Sequence, residues 1–379
     1  IPYKKFMKKI KGEHKYMKDL NKIAAQFAIE GEISSTKPLG EGFINDTYLV
    51  FVNGESEPAY ILQRKNHIVF PDVPAMMDNI KRVTEHIKAK VSDPLRGTLT
   101  VIPAKDGKLY YKDEDGSYWA VCLFIKGSKS YDRADTAELA YQGGLGLGCF
   151  HKLVSDFNEP LHETIKGFHN IRWRFQQWDE ALAKDAAGRA ASLGEEISWI
   201  ESRRAQMLEF WEKYEKGIIP TRVTHNDTKI SNFLFNAADG TLLCAIDLDT
   251  MMSSTLLNDT GDALRSYTNT GAEDDKDLSK VGMSMEMFKA YMGGYLSVMG
   301  KELTPVEKEY LAFSGLYITY EQVLRFLMDY IDGDTYYKIA YPEHNLVRTR
   351  AQFKLLCSME AQLDRMNAYV KSLTCPTLP

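Results

Sequence analysis

The 379 residues carry 47 Lys and Arg against 52 Asp and Glu, a formal net charge of -5. That balance, with a pI near 6.0, supplies no basic face of the kind a nucleic-acid partner demands. At 44% hydrophobic, 26% charged and 11% aromatic residues the chain belongs to neither the disordered nor the fibrous classes, and its length implies two lobes with separate cores.

Lys4, Lys5, Lys8, Lys9, Lys11 and Lys15 crowd the N-terminus and are read as a solvated extension. Residues 1–36 are expected to hold that extension and a leading helix. No apolar run approaches the roughly 20 residues of a bilayer span, and no signal-peptide core follows the lysines, so a cytoplasmic protein with no membrane partner is expected. Cys122, Cys149, Cys244, Cys357 and Cys375 are odd in number and widely spaced, which predicts reduced thiols and neither a disulfide framework nor a cysteine zinc site.

From Lys37 to Ile125, β-rich runs alternate with tight turns, starting with Thr47 to Val52, the Asn53-Gly54 turn signal and Ala59 to Arg64, a predicted hairpin. Pro74 to Lys90 carries Met76, Ile80, Val83 and Ile87 at helical spacing. Strand patterns return at Thr98 to Ile102, Leu109 to Lys112 and Tyr118 to Ile125. Beyond Gly127 helices dominate, with predicted segments at Ala134 to Val154, Ile197 to Tyr214, Met285 to Val298, Pro305 to Tyr330 and Asn345 to Leu373. One β island interrupts them, Asn232 to Phe235 and Leu242 to Ile246, joined by Asn236-Ala237-Ala238-Asp239-Gly240. The lobe boundary is placed near Lys126-Gly127-Ser128, giving a nucleotide-binding lobe over 37–126 and a catalytic, acceptor-binding lobe over 127–379.

The chemistry is expected in His225-Asn226-Asp227-Thr228-Lys229-Ile230-Ser231-Asn232, of the form H-x-D-x-x-x-x-N, followed fifteen residues later by Asp247. Phosphoryl transfer needs a carboxylate to orient and deprotonate the attacking hydroxyl, and oxygen ligands to hold Mg²⁺ against the phosphates. Asp227 fits the base, Asn232 and Asp247 fit the metal, and a hairpin between the last two would bring them together. Asp249 joins the metal set, and His225 supports the loop. Taken singly, Asp227 and Asn232 also suit turn formation and Asp247 a strand end; the set is what points to a kinase.

Upstream, Leu39-Gly40-Glu41-Gly42-Phe43 precedes a strand, where Gly40 and Gly42 could lay backbone amides over nucleotide phosphates; a plain hairpin turn is the competing reading. A cation for the phosphates should come from Gln63-Arg64-Lys65, and Arg64 is chosen, with Glu85 on the Pro74 to Lys90 helix as its orienting partner. Phe124, near the end of the last strand of that lobe, joins the nucleotide set.

Two patterns compete. Gly143-Gly144-Leu145-Gly146-Leu147-Gly148 imitates a dinucleotide fingerprint, but no strand precedes it, and close helix packing explains its small residues. Asp247-Leu248-Asp249 suggests an aspartyl-nucleophile phosphatase, a reading weakened by Met251 and by the motif's late position. A non-catalytic binding module of the same fold is disfavoured because the base and both metal ligands are present.

His225 to Asn232 together with Ile246-Asp247-Leu248-Asp249-Thr250 resembles the aminoglycoside-phosphotransferase-like kinases, over roughly Leu39 to Leu373. Val223 to Lys229, Asn258-Asp259-Thr260-Gly261-Asp262 with Arg265, and Asn269-Thr270-Gly271-Ala272-Glu273-Asp274 are similar to the N-acetylhexosamine 1-kinases within that group. So are Arg325 to Tyr330, Tyr336-Tyr337-Lys338 and Pro342 to Asn345. The resemblance implies transfer to the anomeric hydroxyl of N-acetylglucosamine or N-acetylgalactosamine, with Arg325 and Tyr336 on the sugar. Taken together these readings predict an α+β, bilobal, protein-kinase-like fold, with a small β-rich N-lobe and a larger helical C-lobe. ATP and Mg²⁺ are the expected donor and cofactor. A small-molecule sugar is the expected acceptor, and Asp227 is expected to touch it. Acceptors such as an aminoglycoside, choline or homoserine stay open.

Overall fold

The computed structural model describes residues 19–39 and 44–374. Gly40, Gly42, the N-terminal lysine run and Cys375 lie outside the described residues.

The N-lobe runs α1 (Leu20–Ala24), β1 (Ile33–Pro38), β2 (Asp46–Val52), β3 (Tyr60–Lys65), α2 (Val73–Lys88), β4 (Val101–Ile102), β5 (Tyr111–Lys112) and β6 (Tyr118–Leu123). Its antiparallel sheet has the order β1-β2-β3-β6-β4, with β5 also on β6. The expected hairpin forms, Asp46 facing Arg64 and Val50 facing Tyr60, and Gly54 takes the left-handed φ of 85° in its turn. Alternation along β3 sends Tyr60 and Leu62 into a core with Phe27, Val50, Trp119 and Val121, while Ile61, Gln63 and Lys65 share the other face. Asp72 caps α2 by accepting from Ala75 N, and Val73, Met76, Ile80, Val83 and Ile87 form its buried stripe.

The C-lobe continues with β7 (Ser128–Lys129), α3 (Ala137–Leu153), α4 (Ile171–Lys184), α5 (Gly194–Glu201), α6 (Arg204–Glu215), β8 (Arg222–Thr224), β9 (Phe233–Asn236), β10 (Leu242–Ala245) and β11 (Met252–Ser254). Then come α7 (Leu256–Tyr267), α8 (Met285–Met299), α9 (Pro305–Ile331), α10 (His344–Glu360) and α11 (Leu363–Thr374). A mixed α+β chain with an antiparallel sheet in one lobe and a helical second lobe is the predicted bilobal, protein-kinase-like fold.

Its centre is α9, started by Pro305 inside a Thr304–Glu307 capping box and buried along most of its length. Two predicted helices are each broken in two. Ile197 to Tyr214 divides between α5 and α6, where Arg203 turns out to pair with Glu360 at 2.5 and 2.8 Å. Asn345 to Leu373 divides between α10 and α11, where Gln362 Nε2 donates to Met283 O at 2.9 Å. The apolar period runs on through both breaks because both halves pack on α9: Tyr320 Oη bonds Ile200 O, and Phe210 packs on Tyr310, Phe313 and Tyr317. The glycine run is mid-helix in α3, against α8. A Cβ on Gly144 would lie 2.0 Å from Tyr291 O, and one on Gly294 would lie 2.1 Å from Tyr141 O. These glycines permit helix contact and lie in no dinucleotide turn. Among the described residues no helix is long and apolar enough to cross a membrane.

Candidate active site

β8 delivers the chain to His225, and the segment from there to Asn232 is a loop whose polar groups are nearly all engaged. Asp259, in the first turn of α7, accepts from His225 N and Asn226 N, each at 2.7 Å. Its Oδ2 also faces His151 Nε2 at 2.8 Å. Asp262, one turn on, accepts from Thr228 N at 2.9 Å and pairs with Arg265 at 3.2 Å. Asn226 takes a left-handed φ of 65°, held by Asn226 Nδ2 donating to Thr250 O at 2.8 Å. His225 Nδ1 accepts from Asp227 N at 3.3 Å, which leaves Nε2–H to donate to Ile246 O at 2.8 Å. His225, buried, therefore ties the loop to the end of the hairpin strand.

The expected hairpin is the second positioning device. β9 and β10 pair antiparallel, and Ile246 N donates to Asn232 O at 2.8 Å, so Asn232 and Asp247 meet at its open end. Asn232 Nδ2 donates to Asp227 O at 2.8 Å, which leaves Oδ1 as its remaining acceptor. Asp247 sits in the left-handed region at φ 57° and receives no side-chain hydrogen bond among the described residues. Burial, then Asp249 and Asp227, pushes its carboxyl up to about 6. Such an accumulation of carboxylates with a free amide oxygen fits a divalent cation. Among the described residues no three His, Cys, Asp or Glu side chains converge on one point, so the protein would offer few ligands and leave the rest to phosphates and water, as Mg²⁺ sites do.

Asp227 is half-buried, with Lys229 Nζ 3.0 Å from its Oδ2. Burial alone would lower Lys229, but Asp227 and Asp247 hold its ammonium above the usual range.

Three expected residues have partners other than those expected. Arg64 shares the face of Tyr60 and Leu62 and pairs across the hairpin with Asp46, its Nε 2.7 Å from Oδ2. Its neighbour Lys65 lies on the opposite face, with Nζ 2.7 and 2.9 Å from the two oxygens of Asp249. Asp249, expected on the metal, has both oxygens engaged by Lys65, and Asn45 Nδ2 adds a bond at 2.8 Å. Glu85 pairs with Lys81 and Lys88 of its own helix, both at 3.0 Å, and with neither Arg64 nor Lys65. Phe124 follows β6 with its N–H on Ala59 O at 2.9 Å.

The expected acceptor residues lie in one cluster. Arg325, on α9, places its guanidinium 5.6–5.8 Å from the ring centres of Phe168, Tyr336 and Tyr337. Asp329, one turn on, accepts from the backbone N–H of Thr335, Tyr336 and Tyr337, which fixes the tyrosine turn. Glu321 is buried between His169, at 2.7 Å, and Arg174, at 3.2 Å. Burial alone would raise its carboxyl, but His169, Arg174 and Arg325 bring it down to about 2. His169 Nε2 in turn faces Asn226 O at 3.3 Å, linking the cluster to the Asp227 loop. Sequence reasoning passed over Lys65 for its neighbour Arg64 and missed Asn45, His169, Arg174 and Glu321.

The family described as "Phosphotransferase enzyme family" matches residues 35–282, well over half of the chain. Similar solved structures include a microcompartment-associated aminopropanol kinase, 16% identical over 92% of this chain and 98% of that one, with a TM-score of 0.65. An ethanolamine kinase from Plasmodium vivax is 14% identical over 84% and 82%, with a TM-score of 0.54. Spectinomycin phosphotransferase APH(9)-Ia, solved with ADP and spectinomycin, is 14% identical over 88% and 94%, with a TM-score of 0.52.

Proposed function

The chain belongs to the phosphotransferase enzyme family, and we propose that it is an ATP- and Mg²⁺-dependent small-molecule kinase acting on the anomeric 1-hydroxyl of an N-acetylhexosamine. The observation that carries the kinase reading is the Ile246 N to Asn232 O bond at 2.8 Å, which sets Asn232 and Asp247 beside Asp227. Asp227 accepts the proton of the acceptor hydroxyl as its oxygen attacks the γ-phosphorus; the β–γ bridging bond breaks and ADP departs. Lys229 holds one Asp227 oxygen and leaves the other toward the acceptor. Lys65, turned from Asp249 to the donor, would meet the α- and β-phosphates. Asn232 and Asp247 would hold Mg²⁺, which when bound neutralises charge on the phosphates.

The electrostatics of the Arg325 cluster support a neutral, hydroxyl-rich acceptor. Arg174, Arg325 and His169 surround the single carboxylate of Glu321, and the Asp329 carboxylate is occupied by backbone N–H groups and Asn345. Both carboxylates of the cluster thus have their oxygens already engaged, which leaves neither free to receive a protonated amine. The competing reading, an amino-alcohol or aminoglycoside kinase, draws on the acceptors named for the similar structures. ADP release over a panel of free sugars and amine acceptors, with the phosphate located by NMR, separates them. Sugar 1-phosphate is expected. Turnover confined to amines, or phosphate on a 6-hydroxyl, overturns the acceptor assignment.

A further inference from the structure

His169 stands outside the H-x-D-x-x-x-x-N motif, yet it touches both halves of the site. It takes a left-handed φ of 57°, a conformation that non-glycine residues hold only where surroundings over-determine it. What over-determines it is visible. Its carbonyl accepts from Tyr317 Oη at 2.9 Å, its Nδ1 faces Glu321 Oε2 at 2.7 Å and its Nε2 faces Asn226 O at 3.3 Å. Glu321 and the Asn226 carbonyl offer only lone pairs, so each meets the ring as an acceptor.

The residue it reaches is also left-handed, and the next peptide carries Asp227. Three anchors fix that turn: the Asn226 N–H on Asp259, the Asn226 amide on Thr250 O, and the Asn226 carbonyl on His169. The first two come from α7 and from the segment after Asp249. The third leads through Glu321 to α9, one turn before Arg325. Phe168, the neighbour of His169, lies 5.7 Å from the Arg325 guanidinium.

We propose that His169 is a positioning residue that couples the Arg325 cluster to the catalytic loop, holding the Asn226–Asp227 peptide where Asp227 can meet the acceptor hydroxyl. A small shift of the base is enough to slow transfer, because proton abstraction requires hydrogen-bond reach. The coupling to acceptor rests on the kinase reading given above; the anchoring of the loop does not.

His169→Asn keeps a residue that tolerates the left-handed backbone and a donor toward Glu321, but cannot reach Asn226 O. His169→Gln places an amide nitrogen near the Nε2 position and should recover part of the loss. For His169→Asn, kcat is expected to fall about tenfold or more, with nucleotide affinity unchanged and the thermal midpoint within a few degrees. Amide exchange over residues 222–232, read by mass spectrometry, should accelerate in the Asn variant and return in the Gln variant. Wild-type turnover and exchange in His169→Asn would overturn the proposal. Failure of both variants to fold would overturn it too, by assigning His169 to stability alone. If the wild type phosphorylates no acceptor, the kinase reading falls while the exchange comparison still decides the anchoring.

Discussion

Asp227 and Lys65 are the two residues whose replacement separates the chemistry from its scaffold. Asp227→Asn preserves size and the loop's backbone contacts while removing the proton acceptor, so turnover should fall by roughly a hundredfold or more with ATP binding by calorimetry unchanged. Lys65→Ala strands the Asp249 carboxylate in a buried site, and should cost about 3 kcal/mol in denaturant unfolding as well as weakening nucleotide binding. Arg64→Ala removes only a solvent-exposed pair with Asp46, so a loss under about 1 kcal/mol and an unchanged KM for ATP are expected. Equal effects of the two changes would refute the role proposed for Lys65. The sequence could not choose between these neighbours. Ile61 and Leu62 are both apolar, so β3 reads as covered on both faces, and which one lines the cleft is decided by the rest of the lobe. The Asp227, Asn232 and Asp247 set was legible because turn, hairpin and motif are local. Glu321 lies 152 residues from His169, and nothing short-range announces that they meet.

At the scale of elements, the α3–α8 contact makes a sharp prediction. Gly144→Ala forces a methyl against the Tyr291 carbonyl, and backbone cannot yield as a side-chain tip can; a loss of at least about 2 kcal/mol and a midpoint lower by several degrees are expected by calorimetry. Gly240→Ala, in the open turn of the β9–β10 hairpin with nothing within 4 Å, should cost only about 1 kcal/mol, from its left-handed φ of 74°. The hairpins and the long helices were legible because strand alternation and helical period survive in the sequence. The breaks at 202–203 and 361–362 were not, since a helix pair folded over one partner keeps its apolar residues on the partner's side.

For the whole molecule, the buried Glu321 cluster makes one contribution to stability that depends on pH in acid. Its carboxyl is held at about 2 against an ordinary 4.5, so its contribution is fully present above pH 4.5 and is lost as pH falls through about 2. A shift of that size is worth about 3 kcal/mol. Urea unfolding of wild type and Glu321→Gln should therefore differ by about that much at neutral pH and converge between pH 4.5 and 2. A constant difference across that window would show that the carboxylate's charge is not what holds α4 to α9.

The contact between Lys65 and Asp249 joins the sheet of one lobe to the hairpin end of the other. This lysine already has both oxygens of Asp249, with Gln63 Oε1 as a third acceptor. With Lys65 on the phosphates, as proposed above, nucleotide arrival would be an exchange of counter-ions rather than the capture of a bare charge, and part of the attraction to the phosphates would be cancelled by what is given up. The same exchange works in reverse. In the proposed reaction Asp249 would take the lysine back as the spent nucleotide leaves, and the re-formed pair would ease that departure.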